Sequence, residues 1–198
     1  SPNGSDPWTS IANTLPAYTV SDLGTSRYYR AVVKSGVCPE EFSAPALINV
    51  NPISAGGYVN GGNIVCESAN STNLVLNSYT GDIIRWESSL NGTNWTTIIN
   101  NSANYTVTNL TVTTWYRAVV KSGICPEATS SSSIITVNPD TEGGLVTGGT
   151  TVCTGINSTV LTLGGYAGNI LRWESAPAAS GPWTTIPNTS ETHTASNL

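Results

Sequence analysis

The run Tyr29-Arg30-Ala31-Val32-Val33-Lys34-Ser35-Gly36 returns unchanged as Tyr116-Arg117-Ala118-Val119-Val120-Lys121-Ser122-Gly123, an offset of 87 residues. Cys38-Pro39-Glu40 returns at the same offset as Cys125-Pro126-Glu127, and Val50-Asn51-Pro52 as Val137-Asn138-Pro139. Arg85-Trp86-Glu87-Ser88 returns as Arg172-Trp173-Glu174-Ser175, and Trp8, Trp95 and Trp183 mark one position in three successive copies. A register this continuous calls for one domain type in tandem rather than an enzyme with specialised halves. The copies divide as 1–52, 53–139 and 140–198. Only the middle one is complete: the first lacks the beginning of the unit and the third lacks its end. With no Met and no signal peptide in view, the chain reads as a segment of a longer mature protein, cut out of phase with its domains.

Composition narrows the partners. Charged residues make up 10% of the chain and the net charge is −5. So few Lys and Arg leave no basic stripe for phosphates, so nucleic acid is not an expected partner. No apolar run approaches the ~20 residues of a membrane span, so no membrane insertion is expected. Ser, Thr, Asn and Gly dominate the polar set, which suits a neutral, hydrated β surface outside the cell.

The four cysteines are two positions of the repeat, each present twice: Cys38 with Cys125, and Cys66 with Cys153. No CxxC or Cys/His cluster accompanies them, which argues against zinc. Disulfides in an oxidising compartment explain them better. The complete unit holds Cys66 and Cys125. Closing a loop of about 60 residues would stabilise it by roughly 4 kcal/mol in the chain-entropy model. Cys38 and Cys153 would then have partners outside the segment. The rival reading is a bridge between neighbouring domains, and spacing alone leaves both open.

Within one copy, short alternating runs separated by turn signals predict an all-β sandwich. Extended pieces are expected around Val59 and over Ile64 to Cys66. Asn73 to Ser78 alternates with Leu74 and Leu76 on one face. Over Ile83 to Ser88, alternation places Ile84 and Trp86 on one face and Ile83, Arg85 and Glu87 on the other. Asn91-Gly92 is a tight-turn signal leading to a partner strand from Trp95 to Ile99. Tyr105 and Val107 share a face of the next strand. Leu110 and Tyr116, like Leu23 and Tyr29, have the spacing of a tyrosine corner. Tyr116, Ala118 and Val120 are then inward, as are Ile135 and Val137. Trp86, Tyr116, Tyr29 and Trp173 are the predicted structural core.

The outward set Arg85, Glu87, Trp115, Arg117 and Lys121 is the candidate surface patch. It has two readings: a polar-aromatic face for a glycan or partner, or a cross-strand ion ladder with a half-covered Trp, worth a few tenths of a kcal/mol per pair. Catalysis lacks its parts. Asp82 and Glu87 are the carboxylates near each other, but position 82 is Asn169 in the third copy, so no repeated acid pair exists for glycoside hydrolysis. His193, the one histidine, stands where Tyr18 and Tyr105 stand, and reads as a half-buried substitute for Tyr. Nucleophilic schemes have no recurring base. The scattered acids do not converge as calcium requires. We therefore expect no catalytic residue, no metal site and no cofactor. Asn-x-Ser/Thr triplets at Asn3, Asn70, Asn91, Asn94, Asn100, Asn104, Asn109, Asn157 and Asn188 would mean glycosylation in a eukaryotic secreted protein. In a chain so rich in Asn, Ser and Thr, many arise by composition.

Taken together, the Arg85–Ser88 and Trp95–Ile98 runs, the Tyr116–Val120 run, the Cys66 and Cys125 positions and the Val-Asn-Pro endings give a resemblance to a known family. The repeat resembles the immunoglobulin-like repeats of giant Bacteroidetes cell-surface adhesins, those of gliding motility above all, and the resemblance covers all three copies. It implies tandem immunoglobulin-like or fibronectin type III-like sandwiches of about 87 residues. It also implies export by type IX secretion to the outer-membrane surface, and a stalk or spacer role in attachment. The implied partners are the substratum or extracellular polysaccharide (reached through the full-length protein), neighbouring repeats, and the cell-surface motility and secretion machinery. The alternative function is a carbohydrate-binding module array of a secreted polysaccharide-degrading enzyme. That needs an exposed aromatic platform, and Trp115, which is Tyr28 in the first copy, keeps an aromatic in place.

If the incomplete copies are half-sandwiches with open strand edges, hydrogen exchange should show residues 1–52 and 140–198 less protected than 53–139. Equal protection of all three in a monomer would move the domain boundaries.

Overall fold

The computed structural model describes residues 1–198 and contains strands without a helix. In the first copy β1 (Arg27–Tyr29) runs antiparallel to β4 (Ala46–Ile48), and β2 (Val32–Val33) to β3 (Glu41–Phe42). The middle copy contributes β5 (Tyr58–Asn60), β6 (Ile64–Cys66), β7 (Ser71–Asn77), β8 (Asp82–Ser89) and β9 (Thr96–Ile98). It continues with β10 (Asn104–Thr108), β11 (Thr114–Lys121), β12 (Ala128–Thr129) and β13 (Ser133–Asn138). The third copy holds β14 (Leu145–Thr147), β15 (Ser158–Gly164), β16 (Trp173–Ser175), β17 (Thr184–Ile186) and β18 (Thr192–Ser196).

The middle strands form two sheets, β10-β7-β5 and β6-β13-β11-β8-β9, with β12 added to β11. The β6–β13 pair is parallel. The third copy repeats the first of these sheets as β14-β15-β18, and the β8–β9 hairpin as β16–β17. By spatial proximity the chain resolves into two compact units. One is Ser1–Gly61 with Leu74–Tyr105 and Trp115–Ser133; the other is Gly62–Asn73 with Thr106–Thr114 and Ile134–Leu198. The fold class is thus all-β, as β-sandwich repeats.

In the first unit the core gathers on Trp86, which has no exposed surface. Its indole Nε1 donates to the Ser102 carbonyl at 2.9 Å, so the one polar atom of a large apolar ring is satisfied. The Tyr105 ring lies 5.6 Å from Trp86 and 5.9 Å from the Tyr116 ring, both tilted. Leu76, Ile83, Ala118 and Val120 complete this core. In the second unit Trp173 repeats the arrangement. Its Nε1 donates to the Ser190 carbonyl at 2.9 Å, and His193 packs 5.7 Å away at 36°, against 34° for the Trp86–Tyr105 pair. His193 is half-buried and fills the Tyr position, as expected. Tyr29 is half-buried against Tyr18, at 6.3 Å.

One facing assignment is corrected. Ile83 is buried and Ile84 is 43% exposed, the reverse of the alternation. The register explains it: Val119 pairs with Arg85 and Val120 with Ile83, so Ile84 has no opposite number. This β-bulge inserts one residue and flips the strand's parity before Arg85. Gly81 stands next to it at φ +112°, and a Cβ there would fall 2.6 Å from the Lys121 carbonyl carbon. Only glycine permits β8 to start this close to the end of β11. The Asn91-Gly92 signal is also modified: β8 and β9 are joined by a longer loop. There the Asn91 carboxamide oxygen accepts from the Thr93 and Asn94 amides at 3.0 and 2.9 Å.

Trp86→Ala should destabilise the chain by about 3–5 kcal/mol, the usual range for an emptied aromatic site. Trp86→Phe should cost about 1–3 kcal/mol by stranding the Ser102 carbonyl. Urea denaturation followed by far-UV circular dichroism checks both, and near-neutral effects would show that the core is centred elsewhere.

Candidate functional site

The strand pairing brings most of the candidate patch together. Arg117 on β11 stands opposite Glu87 on β8, and Val119 opposite Arg85. Glu87 therefore lies between two guanidinium groups. Arg85 Nε donates to Glu87 Oε1 at 2.8 Å and Arg117 Nε to Glu87 Oε2 at 2.7 Å. Arg85 Nη1 reaches Glu127 Oε2 at 2.9 Å. Arg117 also sits over the Trp95 ring, its Cζ 4.0 Å from the centroid, in cation–π geometry. The result is a chain of charges, Glu127–Arg85–Glu87–Arg117, ending on an indole.

Burial gives this ladder its weight. Glu87 is 6% exposed, which places a carboxylate in the wall of the sandwich. Burial pushes its pKa up, but the hydrogen bonds from Arg117 and Arg85 outweigh that and hold it below the ordinary glutamate value. Arg85 is held above its usual value by Glu127 and then Glu87. A carboxylate with both oxygens committed to guanidinium groups is a poor proton acceptor for a substrate. The arrangement resists acid–base chemistry and favours register between the strands.

Of the predicted patch, Trp115 is half-buried beside the loop tip, where a Cβ on Gly92 would meet its indole at 3.8 Å. Lys121 stands opposite Asp82 in the register and lies outside the ladder. Sequence reading missed Glu127 and Trp95 as ladder members. The signal was available, because Cys-Pro-Glu and the Trp both recur. Parts of the ladder recur as well. In the first copy Arg30 stacks on Trp8 at 4.1 Å and on Phe42 at 4.0 Å. In the third copy Arg172 Nε donates to Glu174 Oε1 at 2.7 Å. There Trp183 has no stacked arginine and is 57% exposed.

Asparagines form a second recurring set, of which sequence reading treated Asn70, Asn100, Asn109, Asn157 and Asn188 only as glycosylation triplets. Asn70 Nδ2 donates to the Cys66 and Leu110 carbonyls at 2.8 and 2.7 Å, while its Oδ1 accepts from the Leu110 amide at 2.9 Å. Asn157 repeats all three bonds with Cys153 and Leu198. Asn13, Asn100 and Asn188 each donate to a carbonyl four residues on and accept from the amide two residues on. Asp22, Asn109 and Asn197 occupy one corner position with φ of 56°, 54° and 53°, a left-handed conformation that Asp and Asn tolerate. The carboxamides of Asn13, Asn70, Asn100, Asn157 and Asn188 hold the backbone, and Asn70 and Asn157 have no free amide left for a glycan.

In this structure none of the four cysteines is bridged to another. Cys66 pairs in register with Asn138, at the link that leaves the middle copy. Cys125 Sγ lies 3.4 Å from the Pro52 carbonyl oxygen, at the link that enters it. No group of three or more His, Cys, Asp or Glu is placed to hold a metal ion, and no helix is long and apolar enough to cross a membrane.

The repeat geometry coincides with a family assignment. A domain of unknown function, DUF8696, matches three times, over residues 1–52, 55–139 and 142–198. The chain belongs to this family. No curated protein matches it. Among solved structures, chicken CNTN1 fibronectin domains FN1–FN3 align at 14% identity and a TM-score of 0.30, covering 87% of this chain and 66% of that one.

Because the folded-state pKa of Glu87 is depressed, its contribution is complete above the ordinary glutamate range. It is lost as pH falls through that range and then through the depressed folded value. Glu87→Gln should therefore cost about 1–3 kcal/mol at pH 7 and progressively less towards pH 3. Urea midpoints of both chains across that pH range test it; a pH-independent difference would show that the ladder carries no ionic stabilisation.

Proposed function

We propose that this chain is a stalk segment of a large filamentous cell-surface adhesin, of the kind typified by the gliding-motility adhesin SprB. In this reading it is exported by type IX secretion and displayed on the outer-membrane surface. It is a non-catalytic spacer that holds a distal binding region away from the cell. Attachment to the substratum or to extracellular polysaccharide belongs to the full-length protein, which is coupled to the motility and secretion machinery. The carrying observation is what recurs. The Trp–carbonyl bond, the Asn70-type clamp, the Asn100-type turn and the arginine–indole stack are each repeated, and each organises backbone or core. Repetition of structural devices builds length and stiffness, and the Pro-ended links between copies limit bending.

The carbohydrate-binding alternative needs a free aromatic face. Arg117 occupies one face of Trp95 at 4.0 Å, and Arg30 occupies one face of Trp8 at 4.1 Å. These indoles are used internally in the copies where the arginine is present, which favours the spacer.

A spacer predicts additive length. Duplicating residues 53–139 in tandem within the chain should raise the maximum dimension by roughly 30–40 Å in small-angle scattering, the length of one sandwich plus its link. A chain that folds back, with no such increase, defeats the stalk reading. Specific retention of the duplicated chain on a glycan array, stronger than that of the original, would replace it with the binding-module reading.

A further inference from the structure

The two cysteine positions converge on the same dipeptide, reached from the two repeats that flank a link. Cys66 closes β6, and its register partner on the parallel strand β13 is Asn138, the residue before Pro139. The Asn70 carboxamide fixes that end of the strand by holding the Cys66 carbonyl, and Asp140 accepts from the Ser68 amide at 3.2 Å. Cys125 lies at another link of the same type. Its Sγ is 3.8 Å from the Asn51 carbonyl oxygen and 3.4 Å from that of Pro52. Asn51-Pro52 and Asn138-Pro139 are the same repeat position. Superposing the repeat on itself therefore places the Cys125-type thiol of a following copy against Asn138-Pro139, beside Cys66.

Exposure supports the same joint. Cys66, Cys38 and Cys153 are exposed, while Cys125, which has a link packed on it, is half-buried. The residue before each Cys125-type position is apolar and bare: Ile124 is 92% exposed and Val37 is 102% exposed. A recurring uncovered apolar residue beside a recurring thiol marks a surface that a neighbour covers. Both Cys125-type loops are closed identically, Cys38 by a bond to the Ser35 carbonyl at 3.0 Å and Cys125 to that of Ser122 at 2.9 Å. The thiol is thus presented from a hydrogen-bonded turn.

We propose that the Cys66-type thiol of each repeat forms a disulfide with the Cys125-type thiol of the next, stapling successive sandwiches across every Asn-Pro link. The inference rests on the reading of this chain as part of a longer tandem array. It also accounts for four free cysteines within 198 residues, because each would have its partner in a copy lying outside the chain. In the reaction, two thiols lose two protons and two electrons to form one S–S bond. The acceptor is the disulfide of a thiol–disulfide oxidoreductase in the export compartment, which is reduced to a dithiol. The staple blocks hinge motion at the link and bears tension in parallel with a single peptide chain.

The test uses the chain of 198 residues and a tandem form, residues 1–139 followed by 53–198, which carries six cysteines: these four and the duplicated pair. Both are treated with a disulfide oxidase, and thiols are counted after denaturation. The original monomer should retain four thiols, and the tandem form should retain four of its six. Peptide mapping should join Cys66 of the first full copy to Cys125 of the second. Cys66→Ser in the first full copy should abolish the bridge; the same change in the second should leave it. A Cys66–Cys125 bridge within one copy, or six thiols remaining in a folded tandem chain, overturns the proposal. Small-angle scattering of the same tandem sample separates the two readings: an extended shape without the bridge refutes the staple and leaves the stalk standing.

Discussion

The Trp86 side chain is the constraint on which the middle repeat depends. A fully buried indole carries a donor that must be satisfied, and the Ser102 carbonyl satisfies it from a segment sixteen residues away. One bond therefore fixes the loop after β9 against the core, and the Tyr105 and Tyr116 rings complete an aromatic row behind it. Trp173, Ser190 and His193 rebuild the same unit one repeat later, with one extra residue accommodated in the loop between. An insertion in a surface loop is cheap; a change in the indole's environment is not.

The charge ladder is subordinate to that core but gives the sheet its register. Glu87 is buried only because two arginines on adjacent positions meet both of its oxygens. An ion pair of this kind selects one alignment, since a one-residue slip would leave a buried carboxylate unpaired. The Ile84 bulge makes the ladder possible. By flipping parity after Ile83, it allows Ile83 and Trp86 to lie in the core while Arg85 remains on the outer face. The charged groups of the ladder are thus paired with one another across the strands.

Much of this was legible beforehand. Leu74, Leu76, Trp86, Tyr116, Ala118, Val120 and Ile135 are buried where alternation placed them, and His193 takes the Tyr position. The failures share a cause. Alternation assumes an unbroken ladder, so it could not see the bulge at Ile84. Triplet counting treats Asn as a surface residue, so it missed carboxamides that replace absent backbone partners at Asn70, Asn100 and their counterparts. Ladder reading from two strands missed Glu127 and Trp95, which arrive from a turn and a loop.

Periodicity by itself determined that this chain is a tandem of one β domain, and which positions carry the core. It did so because a repeated fold must repeat its buried residues. The tertiary structure decided what the recurring polar residues do. Whether Glu87 is a surface charge or a buried clamp, whether an Asn is a glycan acceptor or a backbone brace, and which link a cysteine faces all depend on strand register and loop path. Those are set by contacts between residues far apart in the chain, to which a period is blind.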